Sequence, residues 1–273
     1  MNIRTSILPK GIGDIGATTF FVFAIPSVFW YEIAYVIPYF YDTTTFWYKF
    51  HFVCATLVFF NIVASYLFTI LCDTSIKGRL IQSTDGTSIC SVCESIQPPR
   101  AYHCPLCKIC ILKRDHHCVF TSSCIGFYNY RYFFTLLIFV TIGSLYGAYF
   151  HVFYTYHNVE YKSIITILRI LMPLMMIVLD ESSTQFIVAV LIILIVGVVI
   201  GIMLLYYHFN LLKNGKTNYE HVHNINKYDL GFKENLRQVF GERWRIAWLS
   251  PIIPSKLPGD GINFKISHTF KDK

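Results

Sequence analysis

Ten residues able to bind metal or act as nucleophiles crowd into one short stretch of this chain. From Cys90 to Cys124 it reads C-SV-C-ESIQPPRAY-H-C-PL-C-KI-C-ILKRD-H-H-C-VFTSS-C, which supplies seven cysteines (Cys90, Cys93, Cys104, Cys107, Cys110, Cys118, Cys124) and three histidines (His103, His116, His117). A structural zinc ion takes four such donors in a tetrahedron. If two ions bind and each site is Cys3His, one cysteine and one histidine of the ten are left over. A thiol beside an imidazole, with a carboxylate next to that, suits a nucleophile and its base. Asp115-His116-His117-Cys118 is the place in the stretch where all three types adjoin. Spacing leaves two plainer readings open: all ten residues are structural, or one zinc binds and the remaining thiols are spare.

The rest of the chain must say where this stretch sits. Its 273 residues are 54% hydrophobic and 17% aromatic, and only 14% are charged, against about 25% charged in soluble domains. That excludes a disordered chain, which lacks apolar surface to bury, and argues against an ordinary soluble globule. A membrane-spanning helix needs about 20 mostly apolar residues. Four segments qualify, at roughly 17–39 (with Pro26 and Glu32 inside), 50–71, 133–154 and 186–207. A fifth apolar stretch, 164–179, is interrupted by Arg169 and Pro173. A charge at the centre of a span costs about 2.5–3.5 kcal/mol, so this stretch is expected at the interface or packed on the bundle.

Four spans place the first segment, the connection between spans two and three, and the tail on one side. That side holds 20 of the 23 Lys and Arg residues; Lys49, Lys162 and Arg169 lie on the other. By the positive-inside rule both termini and the cysteine-rich stretch are cytosolic. In a reducing compartment dense CxxC spacing reads as metal ligation and not as disulfides. The apolar run that follows the polar start MNIRTSILPKGIGDIG is longer than a signal-peptide core, so the first span is expected to stay as an anchor.

C-x2-C, then H-C-x2-C-x2-C, then D-H-H-C and C-I-G over Cys90 to Gly126 resemble the cysteine-rich domain of the DHHC protein S-acyltransferases (palmitoyltransferases). Asn129 and Phe133 fit that family's N-x3-F extension, and Thr217-Asn218-Tyr219-Glu220 is similar to its T-T-x-E element. Asn226 to Gly231, Asn235 and Val239-Phe240-Gly241 resemble its carboxy-terminal motif. The departures are Val119-Phe120 where the family usually has Pro-Trp, Ser123 for a frequent Asn, Gln97 for a common basic residue, and Asn218 for the second Thr.

The resemblance implies one structural zinc on Cys90, Cys93, His103 and Cys110, and a second on Cys104, Cys107, His117 and Cys124. It leaves Cys118 as nucleophile, His116 as base and Asp115 as the residue that orients it. It also implies the activity, a protein-cysteine S-palmitoyltransferase that takes a long-chain acyl group from acyl-CoA and passes it to cytosol-facing cysteines of membrane-associated proteins. The alternative is a catalytically weak zinc-braced membrane adaptor. A transporter or channel finds little support in spans with almost no charge.

The fold expected is an all-α integral membrane protein, with four helices and a loop-rich two-zinc domain between helices two and three. Its segments are 1–71 (first two spans), 72–132 (zinc domain), 133–210 (spans three and four with a lumenal loop) and 211–273 (cytosolic tail). The partners expected are acyl-CoA, protein thiols and the bilayer, with no nucleic acid; the membrane expected is Golgi or endoplasmic reticulum. Lys77, Arg79, Lys113, Arg114, Lys213 and Lys216 are candidate contacts for the polyanionic CoA, or simply follow the positive-inside pattern. Phe232, Leu236, Val239 and Phe240 make a helical stripe that suits either a membrane surface or a docking face.

Overall fold

The computed structural model describes residues 3–4, 7–9, 11–83, 86–159, 164–172, 175 and 183–267. Among the described residues, four helices are long and apolar enough to cross a bilayer: Ile12–Phe40, Phe46–Leu71, Tyr130–Asn158 and Thr184–Lys213. At about 1.5 Å per residue each exceeds the ~30 Å hydrocarbon thickness. The chain is a multi-pass membrane protein with mostly helical structure, and its cysteine-rich region lies between the second and third spans. The first span comprises α1 (Ile12–Tyr31), a π-helical turn (Glu32–Val36) and α2 (Ile37–Phe40). The other three are α3 (Phe46–Leu71), α4 (Tyr130–Asn158) and α6 (Ser183–Lys213). Helix α5 (Ile164–Leu171) has eight residues, about 12 Å, too short to cross. Residues 173–174 and 176–179 of the same apolar stretch lie outside the described residues.

The chain divides into two compact units, 23–60 with 137–204, and 1–22 with 61–136 and 205–273. In the first of these Tyr31, Ile33, Val36, Ile37, Phe150, Ile187, Val188 and Leu194 form the buried core. Glu32 Oε1 lies 2.6 Å from His151 Nδ1, and His151 Nε2 lies 2.9 Å from the Ile187 carbonyl oxygen, so one polar chain ties three spans together. The π turn begins at Glu32; such turns re-aim side chains within a helix. Small residues let α4 and α6 approach closely: a Cβ on Gly201 would clash with Thr141 Oγ1.

The second unit carries three antiparallel hairpins of three-residue strands. These are β1 (Ser88–Cys90) with β2 (Ser95–Gln97), β3 (Tyr102–Cys104) with β4 (Ile109–Ile111), and β5 (His116–Cys118) with β6 (Ser123–Ile125). The first two turns hold CxxC pairs. There the Cys93 N–H donates to Cys90 Sγ and the Cys107 N–H to Cys104 Sγ, both at 3.4 Å. Glu94 and Lys108, just after each pair, take positive φ of 49° and 56°, a left-handed conformation that costs a side-chain-bearing residue about 1–2 kcal/mol. The apolar clusters here are small, with Ile76, Leu112 and Phe127 around Cys90 and Cys110, and Ile111 with Cys104 and Cys124. Cores of that size usually need a metal or another staple.

Asn129, fully buried, fastens these hairpins to the spans. Its Oδ1 accepts from the Gly126 N–H at 2.8 Å, and its Nδ2 donates to the Thr69 and Cys124 carbonyls at 3.1 and 3.0 Å. Gly126 cannot be replaced easily, because a Cβ there would sit 2.6 Å from the Leu112 carbonyl oxygen.

The tail adds α7 (Asn218–Val222) and α8 (Phe232–Phe240). Val239 and Phe240 are buried, and Phe240 meets the Phe134 ring of α4 edge-on, so this end of the stripe is a docking face. Phe232 stays half exposed. Asn235 donates to the Lys213 carbonyl at 2.9 Å and accepts from the Leu230 N–H at 3.0 Å, pinning the tail to the end of α6. Arg131, in the first turn of α4, donates to the carbonyls of Pro251, Ile253 and Ser255.

Replacing Asn129 by alanine strands one buried N–H and two carbonyls. At about 1–3 kcal/mol for each unsatisfied group, Asn129→Ala should lower the thermal unfolding midpoint in detergent markedly, whereas an exposed control such as Asn263→Ala should not.

Candidate functional site

Strand alternation decides which side chains of the cysteine-rich stretch face one another. Successive residues of a strand point to opposite faces, so His103 and Cys104 on β3 serve different groups, as do His117 and its neighbours on β5. Cross-strand register completes each pairing: His103 lies opposite Cys110, and His117 opposite Cys124. The fold thus brings Cys90, Cys93, His103 and Cys110 into one four-donor cluster, and Cys104, Cys107, His117 and Cys124 into another.

Both clusters have the dimensions of a tetrahedral zinc site. With Zn–S near 2.3 Å and Zn–N near 2.0–2.1 Å, the donor-to-donor edges come to about 3.6–3.8 Å. In the first cluster His103 Nδ1 is 3.8, 3.2 and 4.0 Å from the sulfurs of Cys90, Cys93 and Cys110. In the second His117 Nδ1 is 3.6, 3.4 and 3.7 Å from those of Cys104, Cys107 and Cys124, and the Cys107–Cys124 separation is 3.8 Å. Each set fills all four positions with no vertex for water, the pattern of a structural and not a catalytic zinc. Gln97, which departs from the family's usual basic residue, donates to Cys110 Sγ at 3.0 Å. Arg114, a candidate phosphate contact, is partly buried beside Cys124 and Cys104. Arg79, another, donates to Tyr128 Oη and the Ser75 carbonyl, at 3.0 and 3.1 Å.

Cys118 and His116 fall on the face of β5 opposite His117, outside both four-donor sets. His116 Nδ1 donates to Asp115 Oδ2 at 2.8 Å, which leaves Nε2 as the ring nitrogen available to the Cys118 side chain on the same face of the strand. Asp115 is 5% exposed, and its Oδ1 accepts from the Asn218 N–H of the tail at 3.0 Å. Burial pushes the Asp115 carboxyl up, but the bonds from His116 and the Asn218 N–H outweigh it and hold the group below its ordinary range. For His116, burial opposes the charge while Asp115 and Cys118 favour it, and the imidazole is raised to about 9. For Cys118, burial raises the thiol, yet His116 and then Thr121 lower it below its usual value. The pairing favours a thiolate beside an imidazolium, the reactive form of a cysteine nucleophile.

Three further residues support this pair; Phe133 is marked by the N-x3-F pattern, whereas His208 and Arg100 carry no sequence signal. His208 on α6 places Nδ1 4.0 Å from Asp115 Oδ2 and 3.1 Å from Tyr130 Oη. Phe133 packs its ring against those of His116 and His208, with centroids 5.1 and 5.0 Å away. The third is Arg100, whose guanidinium grips Glu220 through Nε at 2.7 Å and Nη2 at 2.6 Å, with both side chains almost fully buried. Glu220 also closes a capping box with Thr217 at the start of α7, and so presents the Asn218 N–H to Asp115. The T-T-x-E-like element therefore completes the site even with Asn at its second position. Val119 and Phe120, the departures from Pro-Trp, are held from elsewhere: Thr18 Oγ1 donates to the Val119 carbonyl at 3.1 Å and Tyr66 Oη to that of Phe120 at 3.0 Å.

Known proteins resemble the chain across this region. The family model for the DHHC palmitoyltransferases matches residues 83–225. "Probable palmitoyltransferase ZDHHC24" of Mus musculus is 34% identical over 215 residues, covering 75% of this chain and 74% of the relative. Its namesake in Danio rerio is 34% identical over 241 residues, covering 85% and 81%. "Probable protein S-acyltransferase 15" of Arabidopsis thaliana is 30% identical over 210 residues, covering 71% and 76%.

Two outcomes follow from the geometry. Alkylation of Cys118 should reach its half-maximal rate at a pH below that of an ordinary thiol, and His116→Ala should move that midpoint upward, as read by mass spectrometry of the labelled peptide across a pH series. Arg100→Ala leaves the Glu220 carboxylate buried without its cationic partner, which costs about 3–5 kcal/mol; the loss should appear as a lowered unfolding midpoint and as protease-sensitive residues near 217–220.

Proposed function

The chain belongs to the DHHC palmitoyltransferase family, and on that premise we propose that Cys118 is the nucleophile, His116 the general base and acid, and Asp115 the residue that orients His116. The protein is a protein S-palmitoyltransferase of a membrane. One observation carries the residue assignment: Cys118 is the cysteine of the 90–124 stretch left outside both four-donor clusters, and its neighbour is an imidazole held by a buried carboxylate.

The reaction runs in two steps. His116 Nε2 takes the proton of Cys118, and the thiolate attacks the carbonyl carbon of a long-chain acyl-CoA. The bond from that carbon to the CoA sulfur breaks, and the departing thiolate receives the proton from His116. In the second step His116 takes the proton of a substrate cysteine, whose sulfur attacks the Cys118 thioester. The acyl chain moves to the substrate, and Cys118 leaves as a thiolate that regains its proton. The zinc ions that the two clusters fit would brace the hairpins. The Asn218 N–H and Asp115 fix the tautomer of His116, while Phe133 covers its ring and limits water.

Several finer features belong to the same proposal. Lys and Arg placement supports a cytosolic zinc domain with both termini on that side, and the division 1–71, 72–132, 133–210 and 211–273. Protein thiols near the cytosolic membrane surface are then the acceptors. A long acyl chain favours an apolar site by about 0.8 kcal/mol per methylene, which supports its storage among the spans. A Golgi or endoplasmic reticulum membrane rests on the family resemblance; residues 268–273, where no retrieval signal is expected, lie outside the described residues.

Purified protein in nanodiscs, given labelled palmitoyl-CoA, should form a hydroxylamine-sensitive acyl-enzyme. Cys118→Ser and His116→Ala should abolish it while two zinc ions per chain are retained. A Cys118→Ser protein that still forms the thioester would sink the nucleophile assignment.

A further inference from the structure

Asp14 is a buried carboxylate that the transfer mechanism does not use. It lies in the first turn of α1, is 3% exposed, and comes from a part of the chain outside the family-matched residues. A buried acid is costly unless it is paired and hydrogen-bonded. Its partner is the far nitrogen of an imidazole in the second four-donor cluster: His117 Nε2 lies 3.3 Å from Asp14 Oδ1 and 3.2 Å from Oδ2. Ser122 Oγ donates to Oδ2 at 3.4 Å.

The contact belongs to a larger seam. Positions 14, 18 and 21 recur at helical spacing, so they share one face of α1. Thr18 hydrogen-bonds to the carbonyls of Val119 and Phe120, at 3.1 and 3.5 Å. Phe21 stacks on Tyr66 and meets Phe120. Ahead of the helix, Arg4 Nη2 donates to the Ser122 carbonyl at 2.8 Å. One face of the amino-terminal helix, together with Arg4, thus holds residues 117–122.

We propose that Asp14 holds the second zinc site by accepting the Nε2–H of His117, and that it positions Cys118 through this contact. The inference rests on reading that cluster as a zinc site. An imidazole that binds zinc through Nδ1 must carry its proton on Nε2, and a carboxylate there fixes the ring and makes it a better ligand. Because His117 lies between His116 and Cys118, rotation of its ring would tilt both catalytic side chains. Asp14 touches neither substrate nor the reacting atoms, so its role is positioning.

The test uses full-length protein in nanodiscs, as wild type, D14N and D14A, challenged with a chromogenic zinc chelator. Released zinc is followed together with mass-spectrometric alkylation of each cysteine. Wild type should release two zinc ions per chain. D14A should release one of them about 10-fold or more faster, with Cys104, Cys107 and Cys124 becoming reactive in step while Cys90, Cys93 and Cys110 stay protected. D14N keeps the shape and an acceptor but loses the charge, so it should fall between the two; if D14A does not assemble, D14N decides. Wild-type release kinetics in both variants, or equal exposure of both cysteine sets, would overturn the proposal. A wild type with only one zinc, bound at the first cluster, would remove the second-site reading and this inference with it, without touching the Cys118 assignment tested by acyl-enzyme formation.

Discussion

The structure turns on a three-residue strand whose side chains must alternate. His117 points to a four-donor cluster, while His116 and Cys118, the proposed base and nucleophile, point the other way. A pleated strand imposes that division without further instruction. It also couples the two faces: whatever fixes the His117 ring fixes the separation of its neighbours. A metal cluster with all four positions filled can therefore matter to chemistry in which it takes no direct part. The same alternation in β3 sends His103 and Cys104 to different clusters, so each cluster braces a loop that belongs to the other.

Buried charge is the second theme. Asp115 has contacts from three separated parts of the chain: His116 beside it, the Asn218 N–H from the tail, and His208 from the last span. The tail segment is held by Arg100 and Glu220, two almost fully buried groups in a two-pronged contact. A desolvated pair of this kind adds little net stability, but removing one partner is severe, which makes it better suited to fixing geometry than to strengthening the fold. Tyr228 and Phe264 lie against the Arg100 guanidinium, 4.3 and 5.0 Å from their ring centres. The carboxy-terminal segment is thus a wall of the site, and not an appendage.

In the other unit the Glu32–His151 pair is a buried polar contact in a largely apolar bundle. With lipid outside, apolar side chains gain little by choosing a neighbour helix over a lipid tail, so small-residue contacts and buried polar bonds set the packing. The close approach at Gly201 and the His151 bond to the Ile187 carbonyl have that character.

Composition and residue order establish the membrane class, the number of spans and the crowding of ten donor residues between the second and third. These follow from composition, uninterrupted apolar length and fixed CxxC spacing, all local quantities. Motifs also mark Asn129, Thr217, Glu220 and Asn235 as candidates. Only the tertiary structure decided what those residues touch, because each bonds to backbone or side chains far along the chain. The three hairpins lie where the sequence suggests only a loop-rich domain, since three-residue strands leave too short a pattern to register as period two. Asp14, Arg100 and His208 carried no signal at all. An acid near a helix start, an arginine in a loop and a histidine in a span are ordinary until folding removes water around them and supplies a partner of the right charge.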